Sequence, residues 1–230
     1  MEISILKILT GPANLPKTIK FVITDFDGTL TKEDILDYIC SLNNKLVESQ
    51  IINKEFITGN DTKGNTLSRR INLLEGVHIG EIINKLNSDL LQDGVIELFD
   101  FLGSMNIDIL ICSGNIMPVL LYYKDLIEKN VRNKVDIGVL GSEIEVSKDN
   151  IITGKSVTRN KKEACQKYIK EKQYTEDEII VFGDSISDIQ MMELGKNNFF
   201  ISPKNEIDKK VLGSKTVNSI FELIKILKTL

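Results

Sequence analysis

Two carboxylates, Asp25 and Asp27, stand at the end of the short apolar run Phe21-Val22-Ile23-Thr24 and just before Gly28. The run is rich in β-branched and aromatic residues and stops at a glycine, the pattern of a buried strand entering a turn. Carboxylates at the end of a central strand occupy the usual place of a site in an open α/β sheet. While the chain stays extended, residues two apart share a face. At about 5 Å and an effective dielectric of about 20, the two charges would repel by roughly 3 kcal/mol. A cation with oxygen ligands, most simply Mg2+, offsets that repulsion; otherwise one carboxyl holds a proton and serves as an acid. A bare Asp-x-Asp-Gly is also what a solvated acidic turn looks like, so the rest of the chain must decide.

Similar chemistry recurs further on. The apolar run Ile107-Asp108-Ile109-Leu110-Ile111-Cys112 leads into Ser113-Gly114-Asn115, where a hydroxyl and free backbone N–H groups make an anion cradle, although such residues also serve as turns and caps. The run Glu178-Ile179-Ile180-Val181-Phe182 leads into Gly183-Asp184-Ser185-Ile186-Ser187-Asp188, again placing acids after a strand; Asp184 alone would suit a helix N-cap. Lys161 opens a helix capped by Asn160. Acids with a hydroxyl, a glycine amide and one lysine suit a phosphoryl group: a nucleophile, a metal and fixed donors around the equatorial oxygens.

The elements that must position these residues alternate. From residue 93 onward, buried strands alternate with helices, which implies an α/β fold with a doubly wound, mostly parallel sheet. The chain instead inserts helical sequence, Glu33 to Gln92, between the first strand and the second. That is longer than a crossover needs, so a small cap over the carboxyl edge of the sheet is expected. The expected division is a core of residues 1–32 and 93–230 and a helical cap of 33–92. Within the insertion, helices are expected over Lys32–Ile52, Thr66–Glu75 and Ile79–Leu91, with a loop over Asn53–Asn65. Helical phase puts Arg70 at the edge of the apolar stripe Leu67–Ile71–Leu74 and Arg69 opposite. An inward guanidinium wants an anion, be it a ligand or a local acid. His78 reads as structural.

The 230 residues suffice for one large domain with an insertion. A formal net charge of −4 offers no electrostatic case for nucleic acid or an anionic membrane. Cys40, Cys112 and Cys165 lack paired spacing and read as buried free thiols of a reducing compartment. No apolar run approaches the roughly 18 residues of a membrane span, and residues 1–20 read as a leader without signal-peptide character. A cytoplasmic location is the expectation.

Taken together, Asp25-Phe26-Asp27-Gly28-Thr29-Leu30-Thr31, the strand ending in Ser113, Lys161, and Gly183-Asp184-x-x-x-Asp188 resemble the four motifs of the haloacid dehalogenase superfamily of phosphatases, in order and at fitting spacings. The insertion resembles the cap of the phosphoserine phosphatase-like branch, and the likeness runs from about Lys20 to about Lys210. The resemblance implies a phosphatase acting through an aspartyl phosphate on Asp25, with Asp27 as acid and base. It implies Lys161, Thr29, Ser113 and Gly114 at the phosphate, and Mg2+ held by Asp25, Asp27 (through its main-chain carbonyl), Asp184 and Asp188. It also places Arg70 at a substrate carboxylate and Asp34 at a substrate amine. Phosphoserine is the first candidate substrate; another small phosphorylated metabolite (sugar, amine or methylthio-keto phosphate) is the alternative. A monomer or homodimer is expected. The sequence departs from the family pattern at Ser187, at Asn115, where a second glycine is usual, near Lys63, where an aromatic lid is usual, and at Asp34, where Glu is usual. From a different class, a phospho-accepting receiver-type signalling module also uses a strand-end Asp, Mg2+, a hydroxyl and a lysine. The second acid, Asp27, and the helical insertion argue against it.

Overall fold

Strand β1, Phe21–Thr24, is buried at every position and therefore must be covered on both faces. The computed structural model describes residues 19–58, 65–202 and 214–229, and satisfies that demand with helices on either side of one sheet. After β1 come helices α1 (Ile35–Leu42), α2 (Leu46–Ile57), α3 (Thr66–Asn72), α4 (Ile79–Lys85) and α5 (Val95–Ser104). Then follow β2 (Asp108–Ile116), α6 (Met117–Asn130), β3 (Ile137–Val146), β4 (Ile152–Val157), α7 (Lys161–Lys172), β5 (Ile179–Gly183), α8 (Ile189–Met192), β6 (Asn197–Ile201), β7 (Lys215–Val217) and α9 (Ile220–Leu227). The sheet order is β4-β3-β2-β1-β5-β6-β7, with every neighbouring pair parallel except β3 and β4.

Side-chain alternation splits the core into two layers. Val22, Ile109, Ile111, Ile180 and Phe182 point to the face covered by α5, α6 and α9. Phe21, Ile23, Leu110, Cys112 and Val181 point to the other, against Cys165 of α7 and Met191 and Met192 of α8. This is the doubly wound α/β architecture expected from the sequence. Because β1 lies between β2 and β5, the chain leaves it in opposite directions on its two sides, and a crevice opens at the carboxyl ends of these strands.

Several boundaries differ from the sequence reading. The helix expected over Lys32–Ile52 is two helices, because Asn44 takes a left-handed conformation at φ 55°, which ends α1. Lys45 N–H donates to Cys40 O at 2.9 Å and Asn44 N–H to Ser41 O at 3.0 Å, the paired bonds that close a helix of this kind. Helix α2 then runs on to Ile57 through what was read as loop, while positions 59–64 of that loop, Lys63 among them, lie outside the described residues, as do residues 1–18 of the expected leader. Strand β2 continues through Ser113-Gly114-Asn115, where the strand was expected to end, and its register with β3 shifts between Cys112 and Ile116. Strand β3 extends without a break into the hairpin with β4.

The segment after α3 is tied to that hairpin. Gly76 N–H donates to Ile152 O, Ile152 N–H to Val77 O and Ile79 N–H to Asn150 O, each at 2.9 Å. His78 caps α4, its Nδ1 accepting from Gly80 N–H at 2.9 Å, a structural role as expected.

Candidate active site

Strand β1 ends where its ladder does: Asp25 N–H makes a last bond to Phe182 O at 3.0 Å, and the chain then turns. Phe26 O accepts from the N–H groups of Leu30 and Thr31, and Gly28 N–H donates to the Thr31 hydroxyl at 3.1 Å. Gly28 is required here twice over. Its φ is +84°, and a Cβ would lie 2.3 Å from Asp184 Oδ2. The turn thus sends the two carboxylates of the first motif to different partners, where an extended chain would have kept them on one face.

Asp25 faces Lys161 and Asp188. Lys161 Nζ, from the first residue of α7, lies 2.6 Å from Asp25 Oδ1 and 2.8 Å from Asp188 Oδ1. Helix α7 starts at that position because the Asn160 side chain accepts from Glu163 N–H. Asp188 is fully buried, and its Oδ2 accepts from the N–H groups of Asp184 and Ser185 at 3.2 Å each. Gly183 permits this, since a Cβ there would sit 2.6 Å from Asp188 Cβ. Burial pushes the Asp25 carboxyl well above the usual carboxylate range; Asp188 adds to this, Lys161 opposes it, and Asp184 and Asp27 add again. Burial opposes the Lys161 charge, but Asp188 and Asp25 together hold its pKa above that of an ordinary lysine. The lysine therefore stays charged, and the excess of negative charge bears on Asp25.

Asp27 sits in a hydrogen-bonded pocket of its own. Ser113 Oγ donates to Oδ2 at 2.9 Å; Asn115 Nδ2 at 2.9 Å and Ile35 N–H at 2.8 Å donate to Oδ1. Burial raises its pKa to about 6, helped by the Asp34 charge and opposed by the three donors. Asn115, a departure from the family pattern, thus contacts the Asp27 carboxylate. Thr29 Oγ1 is 3.4 Å from Asp25 Oδ2. A Cβ on Gly114 would come 3.0 Å from Leu67 Cδ2, so the first turn of α3 packs directly over the cradle. Ser187 lies beside Ser185, Oγ to Oγ 2.8 Å, and 3.4 Å from Asp188 Oδ1.

A second cluster lies one step from Asp27, beyond Ile35. Arg70 Nη2 contacts both oxygens of Asp34 and Asp37 Oδ1, all at 2.8 Å, and its Nε donates to Ser49 Oγ at 3.0 Å. Ser49 Oγ donates in turn to Asp37 Oδ1 at 2.5 Å. Arg70 thus points inward, as its helical phase predicts, and Arg69 points the other way to Glu55. Asp37 and Ser49 were missed by the sequence reading. Asp34 is the N-cap of α1 and Asp37 lies three residues on in its first turn, its N–H donating to Asp34 Oδ1 at 2.9 Å, and that capping spacing was the available signal.

A model of the haloacid dehalogenase-like hydrolases matches residues 22–193. The chain belongs to that family. Among solved structures, a phospho-aspartyl intermediate analogue of phosphoserine phosphatase superposes with a TM-score of 0.75 at 21% identity, covering 93% of this chain and 99% of the other. Phosphoserine phosphatase from T. onnurineus gives 0.68 at 20%, covering 96% and 99%. A phosphoserine phosphohydrolase-like protein from Francisella tularensis gives 0.66 at 24%, covering 90% and 99%. At these identities the likeness establishes a shared fold. No curated protein matches the sequence.

For a haloacid dehalogenase-like hydrolase the acids at the crevice are the feature that matters. Asp25, Asp184 and Asp188 bring one carboxylate oxygen each to within 4.8 Å of one another. Three carboxylates lie together, two of them buried and paired with a single lysine, and Asp25 carries the unbalanced charge, so the donor set fits a hard divalent cation. The Asp27 carboxylate is not one of the three; its pocket is made by Ser113, Asn115 and Ile35. Family membership also favours a hydrolase over a phospho-accepting signalling module. Among the described residues, no helix is long and apolar enough to cross a membrane.

Proposed function

We propose that this chain is a Mg2+-dependent phosphatase that hydrolyses a small-molecule phosphomonoester through an aspartyl phosphate. The observation that carries the reading is the convergence of Asp25, Lys161 and Asp188 within 2.8 Å contacts, beside an independently held Asp27 of raised pKa. Asp25 attacks phosphorus, and the bond to the leaving alcohol breaks as Asp27 delivers its proton to that oxygen. Asp27, now a base, takes a proton from water, which attacks phosphorus and releases phosphate and the free Asp25 carboxylate. A pKa of about 6 suits a group that must give and regain a proton near neutral pH. Ser113, the Gly114 N–H, Thr29 and Lys161 surround the equatorial oxygens, and Lys161 holds the nucleophile in place. Asp25, Asp184, Asp188 and the main-chain carbonyl of Asp27 would hold Mg2+, which supplies charge neutralisation at the phosphoryl oxygens.

In this reading residues 33–92 are a cap over a core of 1–32 and 93–230. Leu67 above Gly114 supports it, because it places an apolar wall from the insertion over the phosphate cradle. Asp34 and Arg70 stand on the leaving-group side. The reaction is that of a cytoplasmic enzyme acting on a small metabolite; resemblance alone makes phosphoserine the first candidate, with another small phosphate, a sugar, amine or methylthio-keto phosphate, as the alternative. Phosphate release from p-nitrophenyl phosphate in Mg2+ tests the reading. Asp25→Asn is expected to lower turnover by at least about 10³-fold, and full turnover by that variant overturns the assignment.

A further inference from the structure

Whether a leaving group bears a carboxylate, an amine or both is decided by the charges it meets beyond Asp27. Those charges sit in the second cluster, and they do not balance. Two carboxylates, Asp34 and Asp37, share one guanidinium, Arg70, through the same nitrogen, Nη2. Nε is committed to Ser49, whose hydroxyl returns to Asp37. The exposure is unequal as well. The Arg70 side chain is 9% exposed, whereas Asp34 is 25% exposed. An incoming group therefore meets carboxylate first and guanidinium behind it. A third carboxylate placed there would sit beside two like charges, whereas an ammonium finds Asp34 already oriented by Arg70 Nη2 and Asp37 N–H.

Resting on the phosphatase reading above, we propose that the substrate is the phosphate ester of an amino alcohol without a carboxylate. Arg70 serves as the internal counter-ion that orients Asp34, and Asp37 is the residue that tips the cluster negative and excludes acidic leaving groups.

Matched esters separate this from the reading beneath it: O-phosphoethanolamine, O-phosphoserine, 2-phosphoglycolate and p-nitrophenyl phosphate, each assayed for phosphate release with Mg2+. The expected kcat/KM for phosphoethanolamine exceeds that for phosphoserine by about tenfold or more, with phosphoglycolate lowest. Asp37→Asn is expected to shrink the phosphoethanolamine-to-phosphoserine ratio by about tenfold. A ratio is read so that a general loss of activity cancels, and Asp37→Glu, which keeps the charge, is expected to retain the wild-type preference. Phosphoserine or phosphoglycolate turned over faster than phosphoethanolamine overturns this inference and leaves the phosphatase reading standing, as does a ratio that Asp37→Asn does not move. Absence of release from all four, p-nitrophenyl phosphate included, overturns both.

Discussion

The crevice contains two clusters built on the same plan, one cation bridging two acids, yet they differ in how they are held. Lys161 bridges Asp25 and Asp188 between a helix and two strand ends, and the acids there are 5% and 0% exposed. Arg70 bridges Asp34 and Asp37 between two helices of the insertion, with the acids 25% and 15% exposed. The first is bound to the sheet through backbone ladders on either side; the second is held by side chains and by the N-cap bond from Asp37 N–H to Asp34. On the proposed reaction, rigidity would sit where bonds are made and broken, and adjustable charge where the leaving group is recognised.

Removing each bridging cation tests that contrast most severely. Lys161→Met leaves two buried carboxylates without their counter-ion, and breaking a buried pair typically costs about 3–5 kcal/mol; urea unfolding without metal should show a loss in that range. Arg70→Met should lose less, because its acids can turn toward water. Equal losses would mean that both clusters are structural to the same degree.

Metal should act on the first cluster and leave the second untouched. Asp25 and Asp27 have folded-state pKa values raised above those of free carboxyls, Asp27 to about 6. Such groups bind protons more tightly when folded, so the stability they contribute is full below the ordinary carboxylate value of about 4 and is lost as pH rises through the raised value. The metal-free protein should therefore lose Tm between about pH 4 and pH 7. Saturating Mg2+ at pH 7 should restore stability, by about 2.7 kcal/mol at a hundredfold excess over Kd. Calorimetry should show the gain in wild type and in Asp37→Asn, but not in Asp184→Asn.

Gly28→Ala probes the seam between the turn after Asp25 and Asp184. With φ at +84° and Asp184 Oδ2 in the way, the variant should lose about 1–3 kcal/mol and require more Mg2+ for half-maximal activity. Smallest of all, Ser49→Ala removes a partner from Arg70 Nε and should cost about 1 kcal/mol, with a shift in KM and no change in Mg2+ requirement. An altered Mg2+ requirement would show that the two clusters are coupled.

The parts legible in the sequence are those set by short-range rules. Strands β1, β2 and β5 announce themselves as apolar runs, and the acids and hydroxyl at their ends follow directly from the doubly wound topology. Arg70 could be aimed by helical phase. The partners of each group were less accessible. Asn115 reaches Asp27 because β2 continues, with a register shift, through the segment where the strand was expected to end. The break at Asn44 depended on a left-handed residue that spacing alone does not signal, and without it α2 could not bring Ser49 to Asp37. Asp37 was legible as a position on α1 and illegible as a partner, since its contact with Arg70 joins residues 33 apart in sequence.

The three main-chain bonds from Gly76, Val77 and Ile79 to the β3–β4 hairpin have a bearing on solubility. Strand β4 is the outermost on its side, and a bare margin of that kind is a template on which a neighbouring molecule can lay down a strand of its own. Residues 76–79 occupy part of that margin, while the opposite margin, β7, is only three residues long. A shortened chain lacking the helical insertion would thus reveal its loss first as self-association, before any question of turnover could be put to it.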